Sequence, residues 1–134
     1  MLKKAHIRTM LVSHGENGQD IIRTESDGGC IIEENGVLLR YAESENQGTV
    51  SLLLTPELTD LKRHGLVTSR MTFIEKKMLP CPYRTPQGEM EISIYTHTQN
   101  FELNAAGGRF QSKYSLMVAG NQVADNVLTI EWTF

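Results

Sequence analysis

Cysteine, long apolar runs and clustered positive charge are all scarce in this chain of 134 residues. Two cysteines, Cys30 and Cys81, are too few for a disulfide framework, so we expect reduced thiols in a cytoplasmic protein. No apolar stretch approaches the roughly 20 residues of a membrane helix, and none follows the first lysines as in a signal peptide. The net charge of −3 argues against nucleic acid as a partner, and basic runs such as Lys62-Arg63-His64 are interpreted as solvated strand ends.

Motifs with known chemistry are missing as well. His6, His14, His64 and His97 are scattered, without the spacing of metal ligands and without an accompanying cysteine pair. Nucleophile-elbow, phosphate-loop and dinucleotide fingerprints are also absent from the sequence. The motifs therefore predict no metal, no cofactor and no catalytic residue.

What the chain has instead is alternation, most clearly in Tyr83–Thr96. Thr85-Pro86-Gln87-Gly88 fits a β-turn, because proline presets φ at the second position and glycine tolerates the exit geometry. The period then becomes two, which predicts a half-buried strand. Its apolar face carries Met90, Ile92, Ile94 and Thr96.

The same pattern recurs along the whole chain, with about ten short strands and no convincing helix. Besides Met90–Thr96, the predicted strands are Lys3–Ser13, Asp20–Ser26, Cys30–Glu33, Val37–Ser44, Thr49–Thr55, Leu58–His64, Arg70–Lys76, Phe110–Ala119 and Val123–Phe134. Residues Lys77–Pro82 are expected to be irregular. We predict an all-β, up-and-down antiparallel fold forming a single domain over residues 1–134. A sandwich and a barrel both remain open at this point, although a barrel would remove the edge strands.

Several segments carry a family resemblance. They are NGVLLRYAES, GTVSLLLTPE, SRMTFIEKK, YRTPQGEMEISIYT and KYSLMVAGNQVADNVLTIEW. Together they resemble the YwiB-like family of bacterial calycin-like β-barrel proteins, which has no assigned function. The resemblance implies a closed or nearly closed lipocalin-like barrel of about eight to ten strands. It supplies no catalytic or binding residues.

Strand parity suggests a ligand site in the lumen of such a barrel. Small barrels are either filled by side chains or hold one small ligand. We predict a small, partly apolar ligand, with no nucleic acid and no membrane as partner. The ligand-binding residues on the inward face are Thr9, Tyr41, Ser112, Tyr114 and Trp132. The apolar wall would consist of Leu39, Leu52, Leu54, Phe73, Ile92, Ile94, Leu116 and Ile130.

Two alternatives from other functional classes stay open. One is an interaction module without a ligand, which would use the outer surface or the proline-containing loop Lys77–Gly88. The other is an enzyme, which would need a tyrosine, an arginine and a carboxylate to converge inside the barrel. A filled lumen would favour the first, and such a buried cluster would favour the second.

Overall fold

Ten antiparallel strands close into a barrel in the computed structural model, which describes residues 2–134. The strands follow one another around the barrel in chain order, and β1 pairs with β10 to complete the ring. Their bounds are β1 Leu2–Gly15, β2 Gly18–Ile32, β3 Val37–Glu43, β4 Gly48–Leu54, β5 Thr59–His64, β6 Thr68–Phe73, β7 Met78–Thr85, β8 Gly88–Asn104, β9 Gly107–Val118 and β10 Asn121–Thr133. The predicted all-β, up-and-down barrel is confirmed. No helix within residues 2–134 has the length and apolar character needed to cross a membrane.

The up-and-down order gives the barrel two ends. We call the lower end the one with the turns at residues 33–36, 55–58, 74–77 and 105–106, next to the start of β1 and the end of β10. The upper end carries the turns at residues 16–17, 44–47, 65–67, 86–87 and 119–120. The predicted turn at Thr85–Gly88 is one of these, and Gly88 has a positive φ of 127°.

Strand lengths differ between the two sides of the barrel. β1, β2, β8, β9 and β10 have 12 to 17 residues, whereas β3 to β7 have 6 to 8. β2 pairs with β3 only over Gly28–Ile32, so its first ten residues, Gly18–Asp27, pair with β1 alone. Because β1 is itself paired with β10 over this stretch, Gly18–Asp27 forms an unpaired edge of the sheet at the upper end.

The prediction of two separate strands at Asp20–Ser26 and Cys30–Glu33 is wrong, because both belong to β2. Gly28, between them, lies in the strand opposite Tyr41. A Cβ atom at this position would lie 2.3 Å from the Arg40 carbonyl oxygen and 2.9 Å from the Tyr41 Cβ. Glycine is needed here for a close approach of two strands, not for a turn.

Residues Lys77–Pro82 are not irregular as predicted, since strand β7 begins at Met78. β7 pairs with β8 along its whole length but with β6 only through Thr68–Arg84 and Ser69–Tyr83. Pro80 and Pro82 are two positions apart, so their missing N–H groups fall on the same edge of the strand. We infer that the edge with the two prolines faces β6, which explains why β6 and β7 share only two residue pairs. Below these pairs, toward the lower end, the two strands form an unpaired seam.

The lower part of the barrel is filled by side chains. The Phe73 ring is fully buried and lies edge-on to Phe110 and Tyr114, with ring centroids 6.0 and 5.2 Å apart. After β6 the chain crosses to β8, where the Lys76 N–H donates to the Thr96 carbonyl at 2.7 Å. This crossing narrows the interior and holds Phe73 in the centre of the core.

Candidate functional site

The five residues predicted to bind a ligand are spread over different environments. Tyr41, Ser112, Tyr114 and Trp132 are buried, whereas Thr9, on β1 opposite Thr24 of β2, is partly exposed. Among five surface pockets within residues 2–134, one is lined by Thr9 and another by Trp132, and none of these five is lined by the other three residues. The ligand-binding role of the set stays a prediction.

Hydrogen bonding separates these residues further. The Thr9 hydroxyl on β1 is hydrogen-bonded to the Thr24 hydroxyl on β2. The Ser112 Oγ and the Trp132 Nε1 are buried without a hydrogen-bond partner among the described residues. Buried polar atoms are normally paired, so these two atoms keep unused capacity inside the barrel.

The predicted apolar wall is present, but it is packed upon itself. Six of its eight members are at most 1% exposed, and Ile92 and Leu116 are the two that reach the surface more. The six, together with Phe110 and Trp132, belong to one continuous hydrophobic cluster, and Leu116 packs against it. These side chains build the core of the lower barrel. The accessible part of the interior is therefore at the upper end.

A ring of inward-facing side chains marks the boundary between the packed core and the upper end. Each member is the direct cross-strand partner of the next, from β3 to β8. The ring consists of Tyr41, Val50, Arg63, Ser69, Tyr83 and Met90. Tyr41 and Val50 are buried, Tyr83 is half-buried, and Met90 is 45% exposed. The ring is therefore closed on the β3–β4 side and open on the β7–β8 side.

An ion pair lies above the buried side of this ring. The Arg63 Nη2 donates to the Glu43 Oε2 at 2.9 Å, and the Glu43 side chain is only 18% exposed. The Arg63 Nε and the Glu43 Oε1 are both buried without a further partner within the described chain. Each ion therefore has one satisfied and one unsatisfied side, which is costly unless another polar group reaches it.

Two buried phenols lie near this ion pair. Burial raises the pKa of Tyr41 to about 12, with a further increase from Glu43 and an opposing effect of Arg63. Burial also raises the pKa of Tyr114, although a hydrogen bond with the Asn126 amide opposes the shift. Both phenols are neutral near pH 7, so they can donate hydrogen bonds but cannot act as general bases. Tyr41, Glu43 and Arg63 form the kind of cluster that the enzyme alternative requires. Neither Tyr41 nor Tyr114, however, has a pKa suited to a general base.

A groove of about 450 Å³ lies beside the open part of the ring, where the upper ends of β5 to β8 meet. Its lining alternates between inward-facing and outward-facing positions, which places the groove at the rim and along the β6–β7 seam. The lining residues are Lys62, Arg63, His64, Thr68, Ser69, Arg70, Pro82, Tyr83, Arg84, Glu89 and Met90. Four of these side chains are cationic, and Glu89 is the only carboxylate in the lining.

Sequence reasoning missed this groove for two reasons. Lys62-Arg63-His64 was interpreted as a solvated strand end, but Arg63 has the parity of the buried Thr59 and faces inward. The strand containing Pro80 and Pro82 was interpreted as a loop. The alternation in β5 and the spacing of the two prolines were the signals that could have revealed both features.

Relatives of known structure match the fold but carry no assigned activity. The chain is 22% identical over 129 residues to the uncharacterized beta-barrel protein YwiB of Bacillus subtilis (strain 168), covering 95% of this chain and 89% of YwiB. The crystal structure of the ywiB protein from Bacillus subtilis superposes with a TM-score of 0.87 at 18% identity, covering 98% of this chain and 92% of that one. Residues 6–130 match the model of a domain of unknown function, DUF1934. With nearly its whole length matched, this chain belongs to the DUF1934 family.

Proposed function

We propose that the protein binds a small amphipathic molecule in the groove at the upper end of its barrel. The observation that carries the proposal is the position of this groove, of about 450 Å³, beside an interior that is otherwise packed. Its volume lies within the roughly 300–1,000 Å³ typical of small-molecule sites. The ligand-carrying barrels of the calycin group, which the sequence resembles, give a precedent for a ligand held by such a scaffold.

The lining supplies both kinds of contact that an amphipathic ligand needs. Tyr83, Met90 and Pro82 offer apolar surface, and Arg63 and Ser69 offer polar groups at the inner side of the groove. Tyr41 lies two ring positions from Arg63, beyond Val50, and is close enough to Arg63 and Glu43 for these charges to affect its pKa. Of the predicted ligand residues, Tyr41 and Tyr114 are close enough to Arg63 to feel its charge and would support the site from the core. Ser112 and Trp132 are buried in the core and do not line the groove, and the ligand itself would enter at the rim.

Native mass spectrometry of gently purified protein is the first test. A mass that is lost on denaturation would reveal a bound molecule and begin to identify it. The bare protein is then titrated with N-phenyl-1-naphthylamine, an uncharged apolar probe whose fluorescence rises on burial. We expect Tyr83→Ala and Met90→Ala each to weaken probe binding by about tenfold, since each removes apolar contact area worth roughly 1–2 kcal/mol.

Matched controls are available on the outer and lower surfaces. Tyr95→Ala removes a tyrosine from the outward face of β8, and Met78→Ala removes a methionine that is 52% exposed at the start of β7. Neither residue lines the groove. Probe affinity that is unchanged in the groove variants, or reduced equally in the control variants, would contradict the proposal.

The interaction module is a second candidate, and the unpaired edge of β2 is the observation that favours it. Gly18–Asp27 has an unpaired edge, and Ile21 and Ile22 on it are 45% and 55% exposed. Such an edge can pair with a strand of another chain. The Lys77–Gly88 segment is less suited, because most of it is paired in β7. Analytical ultracentrifugation distinguishes the two candidates, since self-association that Ile22→Lys abolishes, without any probe binding, would favour the module.

We place the binding protein in the cytoplasm as part of the same proposal. Cys30 and Cys81 are both free and buried, and burial raises the pKa of Cys81 to about 11. Unreactive, reduced thiols fit a reducing compartment. Fractionation of cells that carry the protein at native abundance tests this placement, and recovery in the membrane or extracellular fraction would contradict it.

A further inference from the structure

We infer that the molecule bound in the groove carries an anionic group, and that Arg63 and Lys62 hold it at the rim. This inference rests on the proposed function, because it names the chemical class of ligand for the same groove. An organic anion with a partly apolar body, such as a carboxylate or a sulfonate on an aromatic ring, has the required chemistry.

The charge distribution is the first argument. The whole chain carries a net charge of −3, yet the groove is lined by four cationic side chains and one carboxylate. The carboxylates that pair with Arg63 and Arg70, which are Glu43 and Asp60, lie outside the lining. When Glu43, Asp60 and Glu89 are set against the four cations, one excess positive charge remains at the groove of a chain that is negative as a whole, and such a local excess favours anions.

The four cations are not equally available. The Arg70 Nε donates to both Asp60 oxygens at 3.1 Å, and its Nη2 lies 2.9 Å from Oδ2, so this guanidinium is committed to a carboxylate that is only 8% exposed. Arg84 pairs with Glu89 at 3.2 Å, with both side chains more than 70% exposed, and such pairs are weak. Arg70 thus has a structural role, and Arg84 contributes charge without fixed geometry.

Arg63 and Lys62 retain donors for a ligand. Of the Arg63 guanidinium, one Nη2–H donates to Glu43 and the Nε is buried, so the other Nη N–H groups of this side chain, which is 40% exposed, are the donors left for a ligand. Lys62 forms no ion pair in the described part of the chain. A guanidinium has five N–H donors and binds carboxylates or sulfonates in pairs of hydrogen bonds. The bond to Glu43 shows that this guanidinium binds a carboxylate. The Glu43 carboxylate would compete with an anionic ligand for the same cation.

Two probes that differ by one anionic group test the inference. 1-Anilinonaphthalene-8-sulfonate and N-phenyl-1-naphthylamine share the same aromatic body, and only the first carries a sulfonate. We expect the sulfonate probe to bind about tenfold more tightly at low ionic strength, with the advantage shrinking in high salt. The measured quantity is the ratio of the two dissociation constants, which cancels effects on the apolar part of the site.

Three variants are expected to change this ratio, two by reducing the sulfonate advantage and one by increasing it. Arg63→Gln and Lys62→Gln should each remove most of the sulfonate advantage, so that the ratio of the two dissociation constants approaches one. Glu43→Gln should increase the sulfonate advantage severalfold, because the competing carboxylate is lost, and simple damage to the fold would not produce this result. Arg109→Gln and Lys113→Gln, on exposed positions of β9 away from the groove, are the matched controls and should change nothing. Arg63→Lys, which keeps the charge, should retain part of the advantage if Arg63→Gln does not fold.

The outcomes separate the inference from the function on which it rests. If both probes bind in the groove with equal affinity, or if the sulfonate advantage survives in both Arg63→Gln and Lys62→Gln, the ligand is not an anion and the groove remains a small-molecule site. If neither probe binds, the proposed function and the inference fail together. A ratio that falls in the two cation variants and rises in Glu43→Gln supports the inference.

Discussion

The two ends of this barrel are built from the same ten strands but present opposite interiors. At the lower end the inward positions are aliphatic and aromatic, and Phe73, Phe110 and Trp132 are at most 1% exposed. At the upper end, nearer the opposite ends of the strands, the inward positions carry Glu43, Arg63 and Tyr83. The difference shows that closure of the hydrogen-bonded sheet into a barrel does not determine whether side chains fill its interior. The side chains on the inward face decide it, position by position.

The largest expected effect tests the packing side of this comparison. Phe73→Ala removes the ring at the centre of the lower core, and large-to-small changes of this kind cost about 3–5 kcal/mol. Tyr83→Ala, at the rim, should cost less than about 1 kcal/mol, because its side chain is half-buried. Urea denaturation followed by circular dichroism measures both free energies of unfolding. Similar losses in the two variants would mean that the upper end is packed as tightly as the lower one.

A second prediction concerns the point where the packed core meets the ring. Gly28→Ala should destabilise the protein by about 1–3 kcal/mol, because the new Cβ would meet the Arg40 carbonyl at 2.3 Å and the Tyr41 Cβ at 2.9 Å. Gly29→Ala is the matched control, since the nearest atom to its new Cβ is the Leu2 Cδ1 at 3.6 Å. Thermal denaturation of the two variants gives the comparison. Equal melting temperatures would show that β2 and β3 can separate at Tyr41 without cost.

A third prediction compares two ion pairs beside the groove. Asp60 is 7% exposed and accepts hydrogen bonds from Arg70 and Thr72, so Asp60→Asn should cost about 1–2 kcal/mol by leaving these donors poorly paired. Glu89→Gln breaks the exposed pair with Arg84 and should change stability by less than about 0.5 kcal/mol. Chemical denaturation at two ionic strengths measures both effects. A loss in Glu89→Gln as large as in Asp60→Asn would mean that the rim pairs hold the groove together.

The fold was largely predictable because the alternation of apolar and polar residues along a strand indicates which face is buried and which is exposed. Met90, Ile92, Ile94 and Thr96 share one face of β8 as predicted, and the last three are buried. What alternation could not predict is the bulge between Thr96 and Thr98, which shifts the parity so that Phe101 meets Phe110. A single extra residue changes which face is inward, and the sequence contains no separate signal for it.

The candidate site was predictable only in part, because it depends on differences between strands. Tyr41 was identified from its parity, and its place beside Glu43 follows from the same strand. Arg63 meets them across β4, at a distance that only the register of β3, β4 and β5 determines. The groove lies in turn where the upper ends of β5 to β8 meet, at the two residue pairs that join β6 to β7. Pairing between strands is a property of the closed barrel, and no window of sequence contains it.

The smallest expected effect comes from Tyr41, the residue on the border of the two regions. Its pKa in the folded protein is about 12, above the ordinary value of 10, mainly because of burial. The unfolded chain therefore loses this proton first as the pH rises, so the contribution of Tyr41 to stability is complete below pH 10 and declines as the pH approaches 12. Between pH 10 and 11 the loss should be up to about 1 kcal/mol. Other groups also titrate there, so the measurement is the difference in unfolding free energy between the natural protein and Tyr41→Phe, determined from pH 8 to 11. A difference that declines above pH 10 would place the Tyr41 phenol with the packed core, and one that stays constant would place it with the solvated upper end.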